Sequence, residues 1–461
     1  MLKGLRVLRW NQRFTIKSYI GGSMWIVPLV ALLVFQVFYP AVHAMGAWLV
    51  QVGVIDARTS FLGLSVAGAR SLLETAITLN LSFLVFTFGS MLVAIQVAGG
   101  QYTPRVIATT LLQDSVIQLT VGCFAFTLGF SLRVLTRMDE AVHQLDTFIA
   151  AVLGLFSLVV FLFLIDYAAR LLRPVSIVAR VGKSGVEVIK DVYPDRTTRP
   201  RPVTPTGRLS QPDRIVVHAG TPGVLLAVDM EGLVRQARRA NGTIDFVPHV
   251  GDFLAVDDPL FRLHGGASAL DDAQLRGAVA LGTERTMEQD PTFAFRILVD
   301  IAIKALSAAI NDPTTAVMAI DQLHRLLRLV GLRDLRGDEV RDEAGQLRLV
   351  FRTPNWEDYV HLSCTEIRLC GAGSIQIVRR MRSMLESLMQ ALPLHRHAEL
   401  RLQLDLLDRT VDRSYALPED RILARIPDSQ GLGGALGVQP VSEAPTAEAG
   451  ERHDNRGQDD G

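Results

Sequence analysis

Residues 300–317 read DIAIKALSAAINDPTTAV, an apolar run that carries Asp300, Lys304, Asn311 and Asp312 and closes on Thr314 and Thr315. Just upstream, LGTERTMEQDPTFAFRILV supplies Glu284, Arg285, Glu288 and Asp290. Three chemistries fit these residue types. In the first the charges are structural. Asp300 and Lys304 form an i,i+4 ion pair, Asp312 caps a second helix, and Pro313 is its first residue. In the second, a helix N-terminus flanked by threonine hydroxyls, with Lys304 and Arg285 nearby, holds an anion or a phosphate. In the third, Asp290, Asp300 and Asp312 converge on a divalent cation. The capped joint accounts for most of the residue types and is the preferred reading. Polar groups inside an apolar run are costly to bury unless partnered. Asp300, Lys304, Asn311 and Asp312 are therefore expected to meet Arg285 and Asp290 in one cluster where two helices join. Whether that cluster takes an anion, a metal or nothing is left open.

The elements that must position this stretch divide the chain sharply. Lys+Arg and Asp+Glu balance at 47 each, which gives no reason to expect a nucleic-acid partner. Long apolar runs crowd the first 172 residues. Tyr19–Tyr39, Leu72–Ala98, Val116–Leu135 and Phe148–Leu164 each approach the roughly 20 residues a bilayer-crossing helix needs. Four transmembrane helices are expected, with the bilayer as obligate partner and homo-oligomerisation left open. The first run is too long for a signal-peptide h-region and has no clean cleavage site. Basic residues precede the first span (Lys3, Arg6, Arg9, Arg13, Lys17) and follow the fourth (Arg170, Arg173, Arg180, Lys183), so both termini are expected in the cytoplasm. Residues 41–71 are read as an external re-entrant or amphipathic helix. Asn80, Ser82, Ser90 and Gln96 recur along the second span as helix glue or, as the minority use, a pore lining. Asp166 is expected to pair with Arg170 at the interface.

Beyond the bundle, residues 173–212 read as an amphipathic helix and a Pro-rich linker. Residues 213–427 follow as a cytoplasmic α+β domain, and residues 428–461 as a disordered tail. Within the domain, RIVVHAG, GVLLAVD and GDFLAVDDPLFRL indicate a small β-barrel or sandwich unit. The pattern from Asp271 to Val330 is helical, Leu349–Thr353 is a strand with His361–Thr365 as its partner, and two helices run over 374–392 and 396–413. Two nucleotide signatures fail. VGKSG has Ile177 where a phosphate loop needs glycine, and CGAGSIQ has Gln376 in place of the third glycine of a dinucleotide fingerprint. No catalytic motif, zinc pattern or disulfide pattern stands out among the scattered histidines and three cysteines, and no cofactor is implied.

DIAIKALSAAINDPTTAV resembles the signature of a bacterial family of predicted integral-membrane proteins of unknown function. ERTMEQD, QYTPRVI and IRLCGAGSIQIVRRMRSML resemble further segments of it. The resemblance runs from the first span to about residue 413 and implies a multi-pass protein of the bacterial inner membrane with a cytoplasmic C-terminal domain. Ala308-Ala309 stand where many members have Pro-Gly, so the first helix is expected to run on toward Asn311. Ala150 and Ala151 stand where members often have a histidine pair, so no metal or proton role carries over. The function expected is a channel- or transporter-like protein or a sensor governed by its soluble domain. The rivals are a membrane-anchored enzyme acting on a phosphorylated or lipid substrate, and a non-catalytic scaffold.

Overall fold

The computed structural model describes residues 9–53, 64–101, 114–138, 144–171, 173–197, 211–335 and 339–434. The QYTPRVI motif beyond Gln101, the linker over 198–210 and the tail beyond 434 lie outside these residues. Among the described residues, four helices are long and apolar enough to cross a membrane. The chain enters through α1 (Trp10–Gly22) and spans in α2 (Ile26–Gln51), α3 (Val66–Gln101), α4 (Ser115–Thr136) and α5 (Gln144–Leu171).

The first apolar run departs from the expected boundaries. It breaks at Ser23 behind the Gly21-Gly22 pair, where backbone freedom eases a turn. The spanning helix then passes through Pro40 to Gln51, so of the segment 41–71 read as external, residues 41–51 extend the first span, residues 66–71 open α3, and residues 54–63 lie outside the described residues. Proline is tolerated there because neighbouring groups in a bundle re-satisfy the freed backbone. α4 is the hub, with 61% of its span buried against 17–28% for the others. Its Phe124 lies against Phe83, which in turn stacks on Phe161 at 4.1 Å.

After the fourth span, α6 (Pro174–Val192) enters the core of the C-terminal half. Next come β1 (Arg214–Val217), β2 (Gly223–Val228), α7 (Met230–Arg239), β3 (Gly242–Phe246), β4 (Phe253–Leu254), β5 (Pro259–Gly265), α8 (Asp272–Arg276) and β6 (Val279–Gly282). The helices α9 (Pro291–Ala305) and α10 (Pro313–Gly331), strands β7 (Glu339–Arg341) and β8 (Leu347–Phe351), and helices α11 (Trp356–Cys370), α12 (Ile375–Ala391), α13 (His397–Ser414) and α14 (Pro418–Ala424) complete the order. The strands form two sheets, β1-β5-β3-β8-β7 and β4-β2-β6, over one core that includes Leu225, Ile244, Phe261 and Leu349. β3 and β8 run parallel and the other pairs antiparallel.

Two local expectations fail. His361–Thr365 is no strand partner, because Asn355 and Asp358 form a capping box that carries this stretch into α11. The run from Asp271 to Val330 is interrupted by β6, whose alternation is captured by pairing with β2. Asp428, which opens the segment expected to be disordered, accepts amide hydrogens from Gln430 and Gly431, and Arg379 bonds the Ile426 and Gly433 carbonyls.

One apolar core runs from Phe83, Met91 and Ile117 of the bundle through Val178 and Ile189 of α6 to Leu323, Leu385 and Leu407 of the helical layer. The glycines of VGKSG explain how α6 gets so close. A Cβ on Gly185 would stand 2.8 Å from Leu326 and 3.0 Å from Ala294, and one on Gly182 would collide with Gln322. Overpacking such a contact costs about 1–3 kcal/mol. Gly182→Ala and Gly185→Ala are expected to lower the melting temperature of the full chain in detergent. Gly373→Ala, at a site with open space around it, is expected to shift stability by no more than about 0.5 kcal/mol.

Candidate functional site

The bundle and the C-terminal half meet at a buried carboxylate. Asp114 ends the approach to α4 and caps it, accepting from the amides of Val116 at 3.0 Å and Ile117 at 3.2 Å. A carboxylate suits this place because it answers free amides and the positive end of the helix dipole. Its second oxygen accepts from the Tyr167 hydroxyl of α5 at 2.7 Å and from Arg180 of α6 at 2.5 Å. Arg180 also reaches the Tyr167 oxygen at 3.4 Å. Asp114 is 5% exposed, so three elements are tied to one desolvated charge.

A second contact joins α3 to α9. The Lys304 ammonium donates to the Gly99 carbonyl at 3.1 Å, near the C-terminal end of α3, where carbonyls lack helical partners. Two turns back along α9, Arg296 pairs with Asp300 and grips Glu366 of α11 through two bonds of 2.8 and 2.7 Å. Arg296 holds the Glu366 carboxyl below its usual range. This pair therefore stabilises the fold above the ordinary glutamate value and loses that contribution as pH falls through the depressed one.

The residues singled out around 284–315 do not meet in one cluster. Arg285 pairs with Asp290 and donates to Thr292 at 2.9 Å, while Asp290 caps α9 through the Phe293 amide. Glu284 is exposed. Asp290 and Asp300 are ten residues apart on one helix, roughly 15 Å along its axis at 1.5 Å per residue. The helical rise alone keeps them from sharing a cation with Asp312. Asp300 pairs with Arg296, which lies one turn back on the same face.

The joint that follows is tightly bonded. α9 ends at Ala305 rather than running on through Ala308-Ala309, because the Asp312 amide returns to the Ala305 carbonyl at 2.8 Å. Asn311 takes a left-handed φ of 48°, a conformation asparagine tolerates better than most residues. Asp312 then caps α10 through the Thr315 amide at 3.1 Å and also takes the Thr315 hydroxyl. Thr314 is exposed and Thr315 buried. With Asp312 already at that N-terminus, the site repels an anion.

In the second span only Asn80 of the four polar residues is buried. Its amide donates to the Ala76 carbonyl at 2.8 Å. Ser82 and Ser90 bond carbonyls of their own helix, and Gln96 is exposed. The cross-helix polar bond in this layer is Ser157 to Thr127 at 3.1 Å, a pair that ties α5 to α4. At the far end of the bundle, His43 of α2 meets the buried Asp146 of α5 at 2.8 Å, and Arg133 and Arg137 lie over the Tyr39 ring. Asp166 and Arg170 do pair, but both are about 60% exposed and such pairs contribute little.

Sequence reasoning passed over Asp114 and Tyr167 and took Arg180 only as one of the basic residues flanking the fourth span. The available signal was an aspartate directly ahead of an apolar helix, which marks a cap. The partners of that cap lie 53 and 66 residues away and carry no local mark.

The sequence pattern of one family, described as a predicted membrane protein (DUF2254), matches residues 21–387. An uncharacterized protein of Mycobacterium bovis and one of Mycobacterium tuberculosis are each 26% identical over 449 residues, covering 94% of this chain and 84% of the relative. No solved structure matches.

Removing Arg180 would strand a buried carboxylate with Tyr167 as its remaining side-chain donor. Arg180→Ala is expected to destabilise the full chain by about 1–3 kcal/mol, the range for a buried acceptor that loses a partner. Asp312→Ala is expected to cost about 0.5–2 kcal/mol through the lost cap. Thermal unfolding in detergent checks both, and an Arg180→Ala chain as stable as wild type would contradict the first.

Proposed function

We propose that this chain, which belongs to the DUF2254 family of predicted membrane proteins, is a non-enzymatic membrane transducer. Its bundle and its C-terminal domain exchange conformational state across the junction at Asp114. The observation that carries this reading is the apolar core running from the bundle into the helical layer, closed by an ion pair between the buried Asp114 and the half-buried Arg180. A domain tethered by a linker would move independently of the spans. Here a shift of α4 or α5 is felt by α6, and α6 packs directly on α9 and α10. Packed interfaces of this kind respond as discrete states and not by continuous deformation.

The soluble domain is proposed to be cytoplasmic, in the inner membrane of a bacterium. The Asn11 amide of α1 donates to the Gly277 carbonyl at 3.1 Å, which puts the N-terminal helix on the same side as the domain. That side carries Arg9, Arg13 and Lys17 together with Arg173, Arg180 and Lys183, the bias of a cytoplasmic face. A cytoplasm-active reporter is expected to work when fused after residue 434 and to stay silent when fused after residue 53. The reverse pattern would contradict the orientation.

The transducer reading is tested by hydrogen exchange of the full chain in vesicles with short and with long acyl chains. Exchange in α9–α11 is expected to change with bilayer thickness in the wild type, and the change is expected to vanish in Arg180→Ala. If the domain ignores the bilayer, or responds equally in the variant, the reading fails. Turnover of a phosphorylated or lipid substrate by the full chain would favour the enzyme instead.

A further inference from the structure

Between the domain-side ends of α3 and α5 lies a pocket of ≈130 Å³, lined by Thr87, Met91 and Ala94 of α3, Ile117 of α4, and Leu164 and Ala168 of α5. We infer that it binds a hydrocarbon chain of a bilayer phospholipid. Its two hydroxyls are turned to their own helix: Thr87 donates to the Phe83 carbonyl at 2.6 Å and Ser90 to the Thr87 carbonyl at 3.0 Å. The wall is otherwise alkyl and the Met91 thioether, and a surface lined this way favours hydrocarbon over water. The alanines Ala94 and Ala168 create the space, since a larger side chain at either position would fill it.

The surroundings identify the source of the chain. Ser90 and Ala169 on the rim are exposed, and both belong to helices that cross the membrane, so the pocket opens onto lipid. Exposed Arg173, and Arg170 paired with Asp166, follow the lining residues Ala168 and Ala169 at the domain-side end of α5, positive charge suited to an anionic headgroup. The pocket also adjoins the junction. Ile117 donates its amide to Asp114, and Leu164 lies one turn from Tyr167. A chain seated there touches α4, which Asp114 caps, and α5, which carries Tyr167. In that respect the site rests on the transducer reading and gives it a ligand class, though binding itself stands without it.

The test uses the full chain in phosphatidylglycerol vesicles doped with a phospholipid that carries a photoreactive acyl chain, with cross-links mapped by mass spectrometry. Labels are expected to concentrate on residues 87–94 and 164–169 above the level on the lipid-facing residues Val30 and Val37 of α2. Ala168→Phe and Ala94→Leu are expected to abolish the concentrated labelling and leave that of α2 intact. Even labelling along all lipid-facing helices in the wild type overturns the proposal whether or not the variants fold. Unchanged pocket labelling in a folded, filled variant also overturns it. So does labelling by a photoreactive free fatty acid alone. Arg173→Gln is expected to reduce retention of anionic phospholipid relative to a neutral one. If labelling is as expected while the hydrogen-exchange response survives Arg180→Ala, the pocket stands and the transducer reading falls.

Discussion

A carboxylate at the mouth of an apolar span must be neutralised where it stands, and most of this architecture follows from how Asp114 is neutralised. Its cap bonds start α4, the helix on which the other three spans pack. Its remaining oxygen draws in Tyr167 from the fourth span and Arg180 from the helix beyond it. Replacing either partner by an apolar residue would leave charge in a place where water cannot follow.

Packing then makes the arrangement rigid. α6 presents Gly182 and Gly185 to α10 and Ala294, so backbones approach at distances no larger residue permits. In consequence the helix read as leaving the membrane is a central strut of the C-terminal half. Lys304 adds a second tie, fastening the end of α9 to the end of α3. Two ties and a shared core hold the halves together more firmly than either tie alone, since each fixes a different pair of helices.

The spans hold together by a different balance. Their polar groups are few and mostly bonded within their own helices, as in Thr87, Ser90 and Thr120. Stacked Phe83 and Phe161, with Phe124 beside them, supply the contact that hydrogen bonds do not.

How much of this was legible follows from the range of each interaction. Apolar length determined four spanning helices, because a bilayer core imposes a length on every helix that crosses it. Asp312-Pro313 determined the start of α10, because a cap is satisfied within three residues. The same local logic misjudged Asp300. An i,i+4 partner existed on either side of it, at Arg296 and at Lys304, and nothing local ranked them. The tertiary structure ranked them by placing Glu366 beside Arg296 and the Gly99 carbonyl beside Lys304. VGKSG likewise kept its meaning hidden, because a glycine demanded by a neighbouring helix looks the same as one demanded by a turn. Local spacing determined which elements form and where they start. Which charge meets which, and which glycine is crowded, was decided by chain separations of 53 to 205 residues, over which only the folded core brings groups together.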